Sequence, residues 1–127
     1  MAELRLLFEQ PCYELSANGR CHWRKKAALV RKVRGAAKLM TLAVKRSYLE
    51  FDGFVPVVYD VTWYYSRGVA PDEDNLVGRC KALLDGVADA LGVDDRGWHL
   101  GVVSRVKVGM RDALAGKVEI TLRKENK

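Results

Sequence analysis

No stretch of this chain is apolar for the roughly 20 residues that a membrane-spanning helix requires, so the sequence predicts neither a membrane span nor a membrane partner. Cysteine is scarce as well: Cys12, Cys21 and Cys80 form an odd set without a CxxC pair. Such usage is typical of a reduced compartment, and we expect a cytoplasmic protein. Because 49% of the residues are apolar and 30% are charged, the composition indicates a folded domain rather than a disordered chain.

Acidic residues are missing between Arg20 and Arg46, although this stretch contains ten lysines and arginines. The whole chain carries a net charge of +6, and this basic stretch contributes much of it. A block of one sign is typical of a protein that binds a polyanion, and we interpret it as a nucleic-acid contact surface. The alternative is a solvated helix face that only keeps the protein soluble. The residues predicted to contact DNA are Asn18, Arg20, Arg24, Lys25, Lys26, Arg31 and Lys32.

Hydrophobic periodicity predicts the elements of a single domain that spans residues 1–127. The predicted order is a strand over 2–9, a loop over 11–22, a helix from Trp23 to about Leu49, a strand from Val55 to Tyr65, a helix from Asp72 to Leu91, and strands over Gly101–Val108 and Lys117–Leu122 that are joined as a hairpin. This β-α-β-α-β-β order predicts an α+β fold, in which a small mixed sheet carries two helices on one face.

The predicted second helix has two distinct faces. Asp74, Lys81 and Asp85 align on one of them if the helix is continuous, and an ordinary exposed ion pair between Lys81 and Asp85 is the alternative interpretation of that face. On the opposite face, apolar residues at helical spacing should pack on the sheet. These apolar residues are Leu76, Cys80, Leu83, Leu84, Val87 and Leu91.

An acidic turn lies at each end of this helix: Asp72-Glu73-Asp74 precedes Asn75, and Asp94-Asp95 follows the far end. In an extended segment Asp72 and Asp74 point the same way, and carboxylates placed that close repel unless a proton or a cation lies between them. Mg²⁺ is typically held by one or two carboxylates together with phosphate oxygens. The alternatives are helix capping before the helix and a plain turn after it.

The ordered set Pro71-Asp72-Glu73-Asp74-Asn75, Lys81-Ala82-Leu83-Leu84-Asp85-Gly86 and Asp94-Asp95 resembles the RusA family of Holliday-junction resolvases, many of them from phages. Asn18-Gly19-Arg20 is also similar to the Asn-rich N-terminal loop of that family. The resemblance is tight over residues 71–95 and loose over 18–123. It implies an endonuclease that cleaves four-way DNA junctions with Mg²⁺, for which Mn²⁺ can substitute. Paired nicks in a symmetric junction further imply a homodimer.

Carried over position by position, the resemblance implies metal-binding, catalytic carboxylates at Asp72, Asp74 and Asp95 and a catalytic lysine at Lys81. Whether Asp94 or Asp95 is the ligand of the second turn is left open. One position departs from the family pattern, because Gly78 stands where the best-known member has its lysine. Lys81 is assigned instead because it keeps the family interval to Asp85.

A non-catalytic protein that binds branched DNA, or shapes it as an architectural protein, is the alternative function. In that case the acidic residues only cap helices and form turns. A third interpretation is an inactive family member with a regulatory role. The aromatic residues leave another choice open, because Trp63, Tyr64 and Tyr65 are either a base-stacking platform or part of the sheet core.

Overall fold

The structure is a computed structural model, and it describes residues 3–15, 21–47 and 58–123. The predicted DNA contacts Asn18 and Arg20, the end of the first helix beyond Ser47 and the strand residues 55–57 lie outside these ranges. No helix in the described ranges has the length and apolar character needed to cross a bilayer. In chain order the elements are β1 (Glu3–Glu9), a 3₁₀ turn (Tyr13–Leu15), α1 (Trp23–Ser47), β2 (Val58–Tyr65), α2 (Glu73–Arg79), α3 (Lys81–Leu91), a 3₁₀ turn (Asp95–Gly97), β3 (His99–Lys107) and β4 (Lys117–Arg123).

The described strands form one mixed sheet in the order β1-β4-β2-β3. β4 pairs antiparallel with both β1 and β2, whereas β2 and β3 run parallel. The predicted hairpin of β3 and β4 is therefore wrong, because these two strands are not neighbours. Val118, Ile120 and Leu122 of the central strand β4 are each 0% exposed. β3 is largely exposed and lies at an edge.

One face of the sheet carries the hydrophobic core. The predicted alternation of β1 is confirmed, because every second residue from Leu4 to Phe8 is buried. The predicted apolar face of the second helix packs into the same core, with Leu91 only partly buried. Trp63 also belongs to this core, which settles its role as structural rather than base-stacking. The predicted α+β class with a small mixed sheet is confirmed, with three helices instead of two.

The second predicted helix is interrupted at Cys80, so α2 and α3 replace one continuous helix. The Cys80 backbone has φ −88° and ψ −4°. Its N–H donates to the carbonyl of Val77, three residues back, at 3.1 Å. Such a tight turn shifts the helical phase relative to an unbroken α-helix. Gly78, a weak helix former, lies just before this break.

Arg79, the last residue of α2, connects this helix to the loop that follows β1 by hydrogen bonds. Its Nε and Nη2 atoms donate to the carbonyl of Pro11 at 2.9 and 2.6 Å. Its guanidinium carbon lies 4.8 Å from the centroid of the Trp63 ring. The loop after β1 and the start of the helical pair are thereby held side by side, and both contribute walls to the groove described next.

Candidate active site

The acidic turn before α2 is in part a helix cap. Asp72 is the N-cap residue, and its Oδ1 atom accepts a hydrogen bond from the backbone N–H of Asn75 at 2.9 Å. Glu73 and Asp74 lie in the first helical turn, where negative charge is stabilised by the helix dipole. Asp72 and Asp74 are both exposed. The local fold thus gives Asp72 a structural task that needs only one of its two carboxylate oxygens.

In the second acidic turn the two aspartates have different roles. Asp94 is the N-cap of the 3₁₀ turn, and its carboxylate accepts a hydrogen bond from the backbone N–H of Arg96 at 3.0 Å. Asp95 instead faces helix α3, where its carboxyl is a hydrogen-bonding neighbour of the Asp85 carboxyl. Of the two residues that the sequence left as alternatives, Asp95 is therefore the one directed toward other functional side chains.

Asp85 on α3 and Asp95 in the second acidic turn interact through their carboxyls. Burial raises the pKa of Asp85 above its ordinary value, and the hydrogen bond with Asp95 adds to that rise. The positive charges of Lys81 and Arg34 act in the opposite direction. Lys81 places its Nζ atom 3.7 Å from Oδ1 of Asp85, one helical turn away on α3. Two carboxyls and one ammonium group thus lie near the N-terminal end of α3.

The predicted ligand set Asp72, Asp74 and Asp95 is not assembled in this structure. Within residues 3–15, 21–47 and 58–123, no three His, Cys, Asp or Glu side chains are grouped so that they could hold one metal ion. The predicted alignment of Asp74 with Lys81 and Asp85 assumed one continuous helix, which the structure divides at Cys80. Of these three side chains, Lys81 and Asp85 form an ion pair in the described part of the chain.

Two adjoining cavities flank Lys81. The first, of about 330 Å³, lies between β2, the helical pair and the second acidic turn, and Tyr59, Asp95 and Trp98 contribute to its lining. The second, of about 250 Å³, lies between α1 and α3; its lining includes Lys26 and Asp85. Gly78 and Lys81 line both cavities. We refer to the two cavities together as the groove; Asp95 lines the first cavity and Asp85 lines the second.

Two aromatic residues, Tyr59 and Trp98, line the first cavity. Burial raises the pKa of Tyr59, with smaller contributions from Cys80 and Asp95. The Nε1 atom of Trp98 is buried and, in the part of the chain that the structure describes, has no hydrogen-bond partner. An indole N–H without a partner is uncommon in a folded protein. The residues that line this cavity therefore include a tryptophan with an unused donor, the Asp95 carboxylate and the Lys81 ammonium group.

The predicted DNA contacts that the structure describes lie on α1. Arg24, Lys25, Arg31 and Lys32 are exposed, and Lys26 is partly buried where it lines the groove. Lys25 also forms a surface ion pair with Glu14 at 3.8 Å. α1 contains no acidic residue, so its exposed surface carries positive charge along its length and ends at the groove.

Sequence reasoning did not include Asp85, Tyr59 or Trp98 among the site residues. Asp85 could have been found, because its i,i+4 spacing from Lys81 was visible and the two acidic segments are joined by the helix that carries it. Tyr59 and Trp98 reach the groove only because β2 and the second acidic turn meet beside α3. No local sequence signal predicts that meeting.

Comparison with known proteins adds one relative. No family model matches the chain. A protein of Xylella fastidiosa (strain Temecula1 / ATCC 700964), described as an uncharacterized protein, is 34% identical over 112 residues. The match covers 88% of this chain and 71% of the Xylella protein. The chain therefore belongs to the same family as that protein, and its α+β fold and groove are the features from which a function must be argued.

Proposed function

We propose that this protein is a Mg²⁺-dependent endodeoxyribonuclease that resolves four-way DNA junctions during recombination and repair, as its resemblance to the RusA family implies. The observation that carries the proposal is the Asp85–Asp95 carboxyl pair beside Lys81. This pair lies in a groove that the basic helix α1 borders through Lys26. Acidic side chains at the end of a positively charged surface are what a metal-dependent nuclease requires.

The donor set fits Mg²⁺, with Mn²⁺ as a substitute. Burial is the main cause of the raised pKa of Asp85, and the neighbouring Asp95 carboxyl adds to it. Two neighbouring carboxyls are stabilised by a proton or a cation between them. Mg²⁺ uses one or two carboxylates and completes its shell with water and phosphate oxygens. Asp85 and Asp95 would hold the ion, which when bound polarises the scissile phosphate and lowers the pKa of a coordinated water. Metal binding by Asp72 and Asp74 stays a prediction from the resemblance.

Lys81 acts as a mobile positive charge in this proposal. Its side chain is 76% exposed, and it is held only by the weak contact to Asp85, so it can reach toward a phosphate that enters the groove. An ammonium group there stabilises the negative charge that develops as the phosphodiester is cleaved. Lys26 and the exposed cations of α1 hold the DNA backbone, and the affinity should fall steeply as salt rises.

Paired cleavage of a junction requires two active sites, and β3 is the surface that we assign to a homodimer. β3 is an edge strand, and Val102 and Val106 on it are 61% and 37% exposed. A long apolar edge strand readily pairs with a second copy. We expect a dimer by light scattering, and Val102→Lys should shift it toward the monomer. A wild-type monomer at cleavage concentrations would remove this part of the proposal.

The proposal is tested by incubating purified protein with a labelled four-way junction, with Mg²⁺ and with chelator. We expect cleavage only with Mg²⁺, and we expect Asp85→Asn and Asp95→Asn to lower it at least about a hundredfold while junction binding persists. Asp89→Asn is the matched control, since Asp89 lies one turn beyond Asp85 on α3 and does not line either cavity. It should cleave like the wild type.

The result of a further variant decides which carboxylates matter. If Asp74→Asn is inactive while Asp85→Asn is fully active, the metal belongs to the ligand set predicted from the sequence. If Mg²⁺ also raises the Tm of the wild type but not that of Asp85→Asn, the ion is bound at the carboxyl pair. Lys81→Ala should lose cleavage more than binding, and Lys81→Arg should recover part of it.

A non-catalytic protein that binds branched DNA is the second candidate function. One observation favours it: Asp72 and Asp94 are both engaged as caps, as expected of acidic residues that only shape turns. This candidate predicts junction binding without Mg²⁺ and no cleavage of any branched substrate. The incubation with Mg²⁺ and with chelator separates the two functions in one experiment.

A further inference from the structure

Trp23 is an exposed aromatic residue at the first position of α1. Its side chain is 68% exposed, although a tryptophan normally buries most of its surface. The neighbouring His22 ring stacks on it, with centroids 5.7 Å apart and an interplanar angle of 26°. The guanidinium carbon of Arg24 lies 5.2 Å from the Trp23 ring centroid. The indole is thus braced by two neighbours while most of its surface faces solvent.

The bracing is tied to the start of the helix. His22 caps α1, because its Nδ1 atom accepts a hydrogen bond from the backbone N–H of Arg24 at 3.2 Å, and its carbonyl accepts from the N–H of Lys26 at 3.0 Å. The His22 ring is therefore fixed relative to the helix, and Trp23 stacks on a fixed partner. A rigid, exposed aromatic side chain can accept a planar ligand with little loss of conformational freedom.

Among the residues that the structure describes, Trp23 contacts His22 and Arg24 and is not packed into the core. It does not belong to the hydrophobic core, whose members from α1 are Ala37 and the partly buried Val33 and Val44. The surface around it is strongly cationic, because Arg24 and Lys25 follow directly and α1 contains no acidic residue. A protein or membrane partner would need to match that charge and fill a single aromatic site. DNA satisfies both requirements, since every base has a planar face and every nucleotide carries a phosphate.

We propose that Trp23 is a stacking platform for one unpaired or unstacked base of the DNA substrate, at or beside the branch point, with Arg24 and Lys25 on the adjoining phosphates. The inference rests on the proposed action on DNA and adds the feature by which a branched substrate differs from a fully paired one. A duplex offers no free base face, whereas a single strand or the crossover of a junction does.

Binding of three substrates tests the platform: a four-way junction, a single-stranded oligothymidylate and a fully paired duplex. We expect Trp23→Ala to weaken junction and single-strand binding by roughly five- to a hundredfold, the effect of losing one base–aromatic stack, and to change duplex binding by less than about twofold. Trp23→Phe should retain most of the affinity. The dependence of binding on salt should stay as in the wild type, because no phosphate contact is removed.

Leu39→Ala is the matched control, because Leu39 lies on the same helix and is 69% exposed, nearly as much as Trp23. It should bind all three substrates like the wild type. Binding of the oligothymidylate should also quench wild-type tryptophan fluorescence, and Trp23→Phe should remove the part of that quenching that comes from the platform. Trp63 is buried in the core, whereas Trp98 lines the groove and should account for any quenching that remains.

The possible outcomes separate the platform from the proposed function. Wild-type protein that binds no DNA refutes both. Wild-type protein that cleaves junctions while Trp23→Ala binds all three substrates normally refutes only the platform. Equal losses on duplex and junction make Trp23 a general DNA contact, and a changed oligomeric state of Trp23→Ala makes it a subunit contact; either result overturns the inference.

Discussion

At Gly86, α3 packs directly against the backbone of α1, and adding one methyl group there should separate the two helices. A Cβ atom on Gly86 would overlap the backbone oxygen of Arg34 and would lie 2.8 Å from Cβ of Ala37. A backbone oxygen within α1 cannot turn aside, so the helix itself must move. Overpacking of this kind costs about 1–3 kcal/mol, and the better helix propensity of alanine returns about 1 kcal/mol. We expect Gly86→Ala to lower the free energy of unfolding by up to about 2 kcal/mol.

Gly35 provides the control, because it is exposed on α1 and a Cβ atom there would have no neighbour within 4 Å among the described residues. Gly35→Ala should therefore stabilise the protein by about 0.5–1 kcal/mol through helix propensity alone. Urea and thermal denaturation followed by circular dichroism measure both variants, and the Tm of Gly86→Ala should fall by up to roughly 8 °C. If Gly86→Ala were as stable as Gly35→Ala, the close packing of α1 on α3 would be refuted.

Three further predictions concern single side chains. Burial raises the pKa of the Cys80 thiol to about 12, so a thiol reagent should modify Cys80 only after unfolding, whereas the partly exposed Cys12 should react in the native state; rapid native labelling of Cys80 would contradict its burial. The hydrogen bond and charge of Arg34 lower the pKa of Asp89, so this pair should stabilise the protein at neutral pH and lose its effect as the pH falls through the lowered pKa. Asp89→Asn should remove that part of the acid dependence in denaturation curves, and an unchanged pH profile would argue against the pair. Arg79→Ala removes both hydrogen bonds to the loop after β1 and should cost about 1–3 kcal/mol in urea denaturation, with only partial recovery in Arg79→Lys.

Local periodicity was sufficient to predict the elements and their buried faces. The alternation over residues 2–9 and the apolar spacing from Leu76 to Leu91 depend only on neighbouring residues, and the structure buries the faces they predict. The strand order could not be predicted in the same way. β3 and β4 are adjacent in sequence, and nothing local indicates that β4 passes over β2 and β3 to reach the centre of the sheet.

The acidic region shows a second limit of local reasoning. Local reasoning singled out residues 72–95, and metal binding by their carboxylates stays a prediction. The structure divides the predicted helix at Cys80 and, among the described residues, does not group Asp72, Asp74 and Asp95 around one ion site. Helix capping before the helix and a plain turn after it were the alternatives, and the structure makes Asp72 and Asp94 N-cap residues. The meeting of Asp85 with Asp95 is a tertiary contact that no spacing rule contains.

The position of β4 between β1 and β2 affects how the chain folds during synthesis. β1 pairs with β4 alone, so the earliest described strand has no partner until the latest one is available. The register joins Glu3 to Arg123. During synthesis on the ribosome, β1 therefore cannot pair with β4 until more than a hundred further residues have been added. Chain closure over that separation is slow, and we expect the nascent protein to depend on chaperones more than its modest size would suggest.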